Sequence, residues 1–275
     1  MRIGVYQART GIDPAANADA LERAVADSAR GGAAILFTPE MSGLLDRDRE
    51  RAAPHYRREG DDPLLARVRA AARDHGIWVE LGSLALLAEE GDQLVNRSFL
   101  IDDRGEIRAR YDKIHLFDVD LPTGESWRES ASFAAGDAPV LADSPVGPLG
   151  LSICYDLRFS GLYARLSEAG AAVLSIPAAF TVPTGEAHWH VLLRARAIEA
   201  QAFVVAAAQG GDHEDGRATY GHSLVVDPWG RVLLDMGKDS PALGFADLDM
   251  AMLGDVRTRL PVLAHRRLIP QAVRA

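Results

Sequence analysis

Three polar residues lie close to apolar stretches of the sequence, and their types together suit acyl transfer. Cys154, the only cysteine of the 275 residues, ends the apolar run 149–153, and Glu40 lies just after the run 34–37. Lys113 immediately precedes another apolar and aromatic stretch. A thiol can attack a carbonyl carbon, a carboxylate can act as its base, and an ammonium can stabilise the oxyanion. The set therefore predicts a cysteine-dependent acyl-transfer site.

Each of these residues also has an ordinary structural role open to it. Cys154 could fill a gap in the core, since free cysteine is among the most buried residue types. Glu40 could cap a helix or pair with an arginine, and Lys113 could extend its amine to the surface. If a helix begins at Cys154, its N-terminal partial charge favours the thiolate and lowers the thiol pKa. Glu129 is a weaker fourth candidate on residue type alone.

The elements that must position these residues alternate between strands and helices. Residues 3–7 and 34–37 are predicted strands. Between them, Asp13-Pro14 predicts a helix start and Gly31-Gly32 its end. This order favours a parallel pair of strands joined by a crossover helix. In such sheets, sites collect beyond the carboxyl ends of the strands, which is where Glu40 and Cys154 fall.

The rest of the chain continues this alternation and contains no Ser-, Gly- or Pro-rich linker. We therefore expect a single α/β domain over 1–275, with 256–275 as a candidate C-terminal tail that packs on a partner subunit. The charged segment 46–58 predicts a solvated helix or loop. The remaining predicted elements are a helix from Asp62 to Gly76, a strand over 77–81, hairpins over 98–111 and 223–234, a helix directly after Cys154, a strand over 172–176, a helix over 186–200 and a strand over 203–208.

Composition limits the classes of partner and compartment. A net charge of −9 and a pI of about 5.4 argue against nonspecific binding to nucleic acid or to an anionic membrane. A single cysteine excludes an internal disulfide framework and a multi-cysteine zinc site. The chain has no apolar run near the ~20 residues that span a bilayer. It also has no basic-then-apolar leader, so we expect a cytoplasmic protein.

Three extended motifs give this sequence a family resemblance. They are FTPEM at 37–41, YDKIHLFD at 111–118 and SICYDLRF at 152–159. With these motifs in this order, the sequence resembles the nitrilase superfamily of carbon–nitrogen hydrolases. The resemblance implies a nitrilase-like α/β fold, a four-layer α-β-β-α sandwich with two-fold pseudosymmetry. It also implies no metal or organic cofactor and a homodimer or higher homo-oligomer that extends the sandwich.

The same resemblance implies roles for four residues. Glu40, Lys113 and Cys154 correspond to the Glu-Lys-Cys triad of the family. Glu129, in the segment RESASFAAG, corresponds to a second family glutamate, and the rival Glu125 is rejected because it lacks the Ser and Gly pattern that follows. In this hypothesis Glu40 is the base and Cys154 the nucleophile, and the reaction passes through a thioester. Lys113 and a backbone N–H just after Cys154 hold the oxyanion.

A longer stretch narrows the branch. Residues 177–201 resemble amidases that act on ω-amides of α-keto acids, and residues 207–230 are more similar to the deaminated-glutathione amidase branch than to omega-amidases. We therefore expect an amidase that hydrolyses a small carboxylated amide with release of ammonia, with deaminated glutathione as the substrate. Alternatives within the superfamily are an omega-amidase on α-ketoglutaramate, an N-carbamoyl amino acid hydrolase and an aliphatic amidase. An alternative of another class is an inactive binding or scaffold member.

A carboxylated substrate needs a cation or backbone donors in its site. Arg158 is a candidate by position, although an internal ion pair with Asp156 or with a nearby helix is equally open. The other candidate substrate-binding residues, with core packing as the alternative role for the aromatic ones, are Phe117, Tyr155, Phe180 and Thr181.

Two departures from the branch pattern leave the substrate open. His190 stands where the branch usually has glutamate, and Ser160-Gly161 replaces the usual Pro-Glu. His188 and His190 could suggest a metal site by composition. Residues two apart on a helix do not face one another, so we predict no metal site from this pair.

Overall fold

The chain combines the predicted strand–helix–strand units with runs of successive strands. The computed structural model describes residues 1–120, 124, 126–267 and 269–271. The helices are α1 Pro14–Arg30, α2 Arg49–Ala52, α3 Pro63–His75, α4 Ser160–Glu168, α5 Val182–Ala200 and α6 Met250–Arg259. The strands are β1 Arg2–Gln7, β2 Ile35–Phe37, β3 Trp78–Leu87, β4 Leu94–Ile101, β5 Ile107–Asp112, β6 Asp118–Asp120, β7 Ser126–Arg128, β8 Phe133–Ala134, β9 Val140–Ala142, β10 Leu149–Leu151, β11 Val173–Ser175, β12 Phe203–Ala206, β13 Gly210–Asp212, β14 Ala218–Tyr220, β15 Leu224–Val226, β16 Val232–Asp235 and β17 Ala242–Asp247.

Two mixed sheets carry most of these strands. The first has the order β17-β1-β2-β3-β4-β5, with β8 beside β4, and the second has the order β16-β15-β12-β11-β10-β9. Pairing is parallel for β1-β2-β3 in the first sheet and for β10-β11-β12 in the second. Both predicted hairpins form, as β4-β5 and β15-β16. The two sheets thus repeat one plan, parallel strands in the middle and antiparallel strands at the sides.

The alternation of side chains along β2 shows how the layers are built. Ile35 and Phe37 belong to the core shared by the two sheets, whereas Leu36 belongs to the core beneath α1 and α3. Successive strand residues point to opposite faces, so a strand that is apolar throughout is covered on both sides. Each such fully buried side chain stabilises the fold by about 1.5–3 kcal/mol. On the other side of the molecule, α4 and α5 contact the second sheet, which completes the predicted four-layer α-β-β-α sandwich.

Local signals in the sequence fix the helix ends on the first sheet. The Asp13 carboxylate accepts the Ala15 N–H at the start of α1, and Asp62 accepts the Leu65 N–H at the start of α3. Such caps satisfy amides that have no partner within the helix. Gly76 ends α3 with φ of 60° in the left-handed region, which glycine adopts without strain. The predicted boundaries at these positions are confirmed.

Two helix boundaries differ from the prediction. The predicted α-helix does not start directly after Cys154. Cys154 instead begins a five-residue 3-10 turn, Cys154–Arg158, and α4 starts at Ser160. Helix α5 begins at Val182, earlier than the predicted start at 186, with Thr181 as its N-cap and Pro183 in its first turn. Proline suits a first helical turn because it lacks an N–H that would have no partner there. The signal for the α5 start is therefore present in the sequence.

The C-terminal segment begins as a helix rather than as an irregular tail. Helix α6 extends to Arg259, and the Arg257 side chain donates hydrogen bonds to the Ala171 and Gln201 carbonyls of its own chain. Residues 268 and 272–275 of the segment lie outside the described residues, as do 121–123 and Glu125. Packing of the end of the chain on a partner stays a prediction. Within the described residues, no helix is both long and apolar enough to cross a membrane.

Candidate active site

Cys154 lies at a tight bend just after β10. Its backbone has φ of 49°, in the left-handed region that non-glycine residues rarely adopt, and its N–H donates to the Pro177 carbonyl at 2.8 Å. Strain of this kind persists only where the surrounding structure imposes it, and it collects at functional sites. The bend turns the chain sharply from the strand into the 3-10 turn, where the thiol lines a cavity.

A buried carboxylate holds this bend in place. Asp156 is fully buried and accepts hydrogen bonds from the Tyr111 hydroxyl at 2.7 Å and from the Ile153 N–H at 2.9 Å. The His115 N–H donates to it at 3.0 Å, and the His115 ring nitrogen Nδ1 lies 2.7 Å away. These contacts tie the cysteine turn to β5 and to the segment after Lys113. Asp156 forms no ion pair with Arg158, so that alternative for Arg158 is wrong.

Glu40 lies three residues after β2, at the carboxyl end of its sheet, and is 4% exposed. Its Oε1 accepts from Lys113 Nζ at 2.8 Å and from Asn96 Nδ2 at 3.0 Å. Its Oε2 accepts the Ala179 N–H at 3.0 Å. The carboxylate is therefore fixed from three directions, and it shares the cavity wall with the Cys154 thiol, whose pKa it raises.

Lys113 lies directly after β5 and is only 2% exposed. Its Nζ contacts Glu40 Oε1 at 2.8 Å and both oxygens of Glu129, at 3.1 and 2.9 Å. Burial alone would lower the pKa of Lys113, but Glu129, Glu40 and Cys154 around it raise that pKa well above its usual value. The amine is therefore a permanent cation, and it does not reach the surface.

Glu129 completes the group of four candidates. It begins a short 3-10 turn after β7, and its Oε2 accepts the Phe117 N–H at 2.7 Å. Asn96 Nδ2 lies 3.3 Å from its Oε1, so Asn96 touches both glutamates. Glu40 and Glu129 both bind the Lys113 ammonium, so Glu129 is placed to orient the Lys113 side chain.

The protonation of Cys154 differs from the expectation based on a helix N-terminus. Burial, followed by the Glu40 carboxylate, raises the pKa of the Cys154 thiol well above its usual value, although Lys113 acts in the opposite direction. A five-residue 3-10 turn provides little dipole to offset this burial. In the free protein the thiol is therefore neutral, with a carboxylate beside it that can take its proton.

A cavity of about 960 Å³ opens at these residues. Its wall includes Glu40, Lys113, Cys154 and Glu129. All five candidate substrate-binding residues also line it: Phe117, Tyr155, Arg158, Phe180 and Thr181. The aromatic side chains pack as well, since Tyr155 lies edge-on to Phe117 with ring centroids 5.0 Å apart. Lining the cavity and packing are thus compatible roles for them.

Arg158 presents a cation to this cavity. Its guanidinium lies over the rings of Tyr155 and Phe180, at 5.9 and 5.3 Å from their centroids. Its Nη1 lies 3.2 Å from His188 Nδ1. Stacking on aromatic faces leaves the edge of a guanidinium free for hydrogen bonds to an anion. Arg158 is therefore suited to bind a carboxylate.

Comparison with known proteins assigns the family. A model of carbon-nitrogen hydrolases matches residues 2–258. The chain belongs to the carbon–nitrogen hydrolase family. Among curated relatives of this hydrolase, a protein of Yersinia enterocolitica named deaminated glutathione amidase is 42% identical over 244 residues, which cover 88% of this chain and 85% of that protein.

Solved structures resemble this hydrolase over most of its length. The crystal structure of the C. elegans NitFhit protein matches with a TM-score of 0.89 and 38% identity, covering 97% of this chain. This chain spans only 65% of NitFhit. A mutant amidase from Nesterenkonia sp. AN1, showing covalent addition of the acetamide moiety of fluoroacetamide at its active site cysteine, matches with a TM-score of 0.79 and 29% identity over 95% of each chain.

Several residues of the site in this hydrolase were not predicted. Asn96 and Asp156 matter through contacts with residues far away in the sequence. The one local signal is that Asn96 begins a polar run, 96–98, inside the strand β4. The segment 46–58 is mostly exposed, as predicted, but it also contributes to the wall of the cavity, which was not predicted. The cavity-lining residues of that segment are Asp46, Arg47, Arg49, Ala53 and Tyr56.

The histidines of α5 were predicted correctly only in part. His188 and His190 do not come together, as predicted, but the sequence did not predict that His190 lies close to His222 and Asp235. Among the described residues, these three are the side chains whose ligand atoms lie close enough to hold a metal ion. None of the three lines the cavity of this hydrolase.

Proposed function

We propose that the protein is an amidase that hydrolyses a small carboxylated amide through a thioester on Cys154. The observation that carries this proposal is the convergence of the Cys154 thiol, the Glu40 carboxylate and the Lys113 ammonium on the wall of one cavity. A neutral thiol beside a carboxylate is a nucleophile with its base in place. A fixed cation beside both supplies electrostatic stabilisation.

In the proposed first half-reaction, Cys154 Sγ attacks the amide carbon while its proton passes to Glu40. The oxyanion that forms is held by Lys113 Nζ and by the Tyr155 N–H. Neighbouring amides of the same turn are already engaged, because the Cys154 N–H donates to Pro177 and the Asp156 N–H to Ile153. Glu40 then returns the proton to the amide nitrogen, the C–N bond breaks, and the amine leaves a thioester on Cys154.

In the second half-reaction, Glu40 takes a proton from water as the water attacks the thioester carbon. Lys113 and the Tyr155 N–H hold the second oxyanion. The C–S bond then breaks, Glu40 returns its proton to Sγ, and the carboxylic acid product leaves. Glu129 acts as a positioning residue in this scheme, because it binds Lys113 through both of its oxygens.

We propose deaminated glutathione as the substrate, since the relative from Yersinia carries that name and the cavity contains cations. The amide nitrogen of deaminated glutathione belongs to cysteinylglycine, so this substrate releases the dipeptide rather than ammonia. Primary amides such as α-ketoglutaramate release ammonia by the same steps. The expectation of ammonia therefore applies only to the alternative substrates.

The test is a substrate panel assayed for both ammonia and free amine. It contains deaminated glutathione, α-ketoglutaramate, an N-carbamoyl amino acid, propionamide and a nitrile. The proposal predicts the highest kcat/KM for deaminated glutathione. A higher kcat/KM for α-ketoglutaramate would favour an omega-amidase, and no turnover of any compound would favour an inactive scaffold.

We also propose that the protein forms a homodimer through α5 and the β15-β16 hairpin. Val191 and Ile198 on α5 are 68% and 46% exposed, and Trp229, at the hairpin turn, is 52% exposed. The turn packs on α5, because Arg194 Nε donates to the Gly230 carbonyl at 2.8 Å. Val232 and Leu233 on β16 are exposed as well, and we propose that the five side chains form one apolar patch, since large exposed patches mark interaction sites.

Light scattering after size-exclusion chromatography tests the dimer. Val191→Glu places a charge in the patch and should convert the dimer into a monomer. The matched control is Ala16→Glu, because Ala16 is exposed on α1, in the outer layer opposite α5. A wild-type monomer, or a Val191→Glu dimer as tight as the wild type, would contradict this proposal.

The remaining partners follow the amidase proposal. The protein acts on a small-molecule amide and water, with neither nucleic acid nor a membrane as partner. We propose that it works in the cytoplasm and needs no cofactor, as the sequence predicts. Fractionation of the cells that produce it tests the location.

A further inference from the structure

Three side chains with metal-binding atoms meet where α5 contacts the β15-β16 hairpin. His190 lies on α5, Asp235 ends β16, and His222 lies in the segment between β14 and β15. His190 Nε2 is 2.9 Å from Asp235 Oδ2, and His222 Nδ1 is 2.9 Å from Asp235 Oδ1. The three ligand atoms all lie within 4.8 Å of one another.

The backbone around these side chains is fixed by contacts that do not use the ligand atoms of the histidines. The His222 N–H donates to the Gly237 carbonyl at 2.6 Å, and its carbonyl accepts from Trp189 Nε1 at 2.8 Å. The Tyr220 ring stacks on the His222 ring with centroids 4.5 Å apart. His222 also has φ of 52°, a left-handed conformation that this surrounding structure holds. These contacts preorganise His222, and the Gly237 N–H, which donates to Asp235 Oδ1 at 3.0 Å, helps to hold Asp235.

We propose that His190, His222 and Asp235 bind a divalent transition-metal ion, with Zn²⁺ as the probe of choice. Imidazole nitrogens and a carboxylate are ligands that Zn²⁺, Co²⁺ and Ni²⁺ accept, with bonds of about 2.0–2.2 Å. At that length, adjacent ligand atoms of one ion lie roughly 3 Å apart, which the two observed separations match. The side chains are about one-fifth to one-third exposed, so water can occupy the remaining coordination positions.

Such an ion would join α5 to the β15-β16 hairpin and to the chain after β14. It would not take part in the amidase reaction, because none of its ligands lines the cavity. In the alternative without an ion, each histidine donates a hydrogen bond to Asp235, and the two protons fill the same space. The two alternatives differ in one measurable property, since only the first takes up Zn²⁺.

Calorimetric titration with Zn²⁺ tests the proposal on full-length, tag-free protein carrying Cys154→Ala. That background removes the thiol, which would otherwise bind the ion itself. The proposal predicts one Zn²⁺ per chain and a rise in melting temperature, because an ion that binds only the folded state stabilises it. His190→Gln and Asp235→Asn should each weaken binding by at least 10-fold.

His75→Gln is the matched control, because His75 is exposed at the end of α3. Its titration should equal that of the parent protein. Because Val191 adjoins His190, the titration is repeated on a Val191→Arg protein, in which the added charge should keep a second subunit off the patch without supplying a carboxylate ligand. Absence of Zn²⁺ uptake in both backgrounds, or equal affinity in the His190 and Asp235 variants, would overturn the proposal.

Discussion

At the scale of single residues, burial decides the charge states around the candidate nucleophile. Burial and Glu40 keep the Cys154 thiol neutral, whereas two carboxylates keep Lys113 charged in an equally buried place. The sequence predicts which residue types meet, but it gives the wrong direction for the thiol pKa. That direction depends on desolvation, which only the packed structure reveals.

Lys113→Met tests the cation at this scale. Methionine keeps much of the length of lysine but removes the donor that we assign to the oxyanion, so kcat should fall by at least ~100-fold. The change also leaves Glu40 and Glu129 without their shared cation, so the melting temperature should fall as well. Steady-state kinetics and thermal unfolding measure the two effects.

Lys238→Met is the control for this substitution, because Lys238 is an exposed lysine that makes only a long contact with Glu186. It should leave kcat and the melting temperature unchanged. Near-normal turnover by a folded Lys113→Met protein would remove Lys113 from the mechanism.

Arg158→Gln tests recognition of the substrate carboxylate. Loss of a charge-assisted hydrogen bond costs about 1.5–3 kcal/mol, so KM for deaminated glutathione should rise by about 10- to 100-fold. The KM for propionamide, which has no carboxylate, should change little. Arg165→Gln is the control, since Arg165 is exposed and pairs with Glu168. Equal effects on both substrates would show that Arg158 acts through packing alone.

At the scale of elements, β3 brings the two sheets of the site together. Gly82 lies where the pairing of β3 with β4 is irregular, and a Cβ added there would lie 2.1 Å from the Thr38 carbonyl oxygen and 2.6 Å from Pro177 Cβ. Thr38 leads to Glu40, and the Pro177 carbonyl accepts the Cys154 N–H. A strand glycine that permits such a close approach thus positions both sides of the site.

Gly82→Ala should therefore affect catalysis as well as stability. Overpacking costs about 1–3 kcal/mol, and displacement of reacting groups by about 1 Å can cost roughly 100-fold in rate. Denaturant unfolding and kcat measure the two effects. Gly60→Ala is the control, because a Cβ there would meet no atom within 4 Å. If both variants retain normal kcat, Gly82 does not position the site.

Glu80, two residues earlier on β3, should make stability depend on pH. Burial raises the pKa of Glu80 from 4.5 to about 8, although the hydrogen bond from Ser98 opposes the shift. Between these values the folded state holds a proton that the unfolded state has lost. The free energy of unfolding should therefore fall as the pH rises from about 5 to 8, by up to about 1.4 kcal/mol per pH unit.

Glu80→Gln cannot titrate and should lack this contribution. The difference in unfolding free energy, variant minus wild type, should increase steadily from pH 5 to pH 8 in urea titrations. A difference that stays constant over this range would mean that Glu80 has an ordinary pKa in the folded protein.

Prediction of the elements from sequence succeeds where the signal is local and fails where it is not. Asp13, Asp62 and Gly76 act on amides within a few residues, so the helix ends they set are predictable. The roles of Asn96 and Asp156 depend on partners 33 to 56 and 41 to 45 residues away, respectively. Local propensity carries no information about such contacts, although a family resemblance does locate the residues they support.

At the scale of the whole molecule, one core joins the two sheets. Ile3 and Phe37 of the first sheet and Leu151 and Val205 of the second belong to the same buried cluster. This shared core supports our proposal that residues 1–275 form a single domain. It also explains the site, because Glu40 and Lys113 follow strands of one sheet while Cys154 follows a strand of the other. The candidate catalytic residues therefore come together only when both sheets are assembled.

Trapping of the acyl-enzyme tests the central claim most directly. The protein is mixed with deaminated glutathione, quenched in acid and analysed by mass spectrometry. We predict a mass gain equal to the substrate minus cysteinylglycine, located on the peptide that contains Cys154. The Cys154→Ala protein should show the same circular dichroism, no mass gain and no turnover. Turnover by Cys154→Ala, or an acyl group on another residue, would contradict the account.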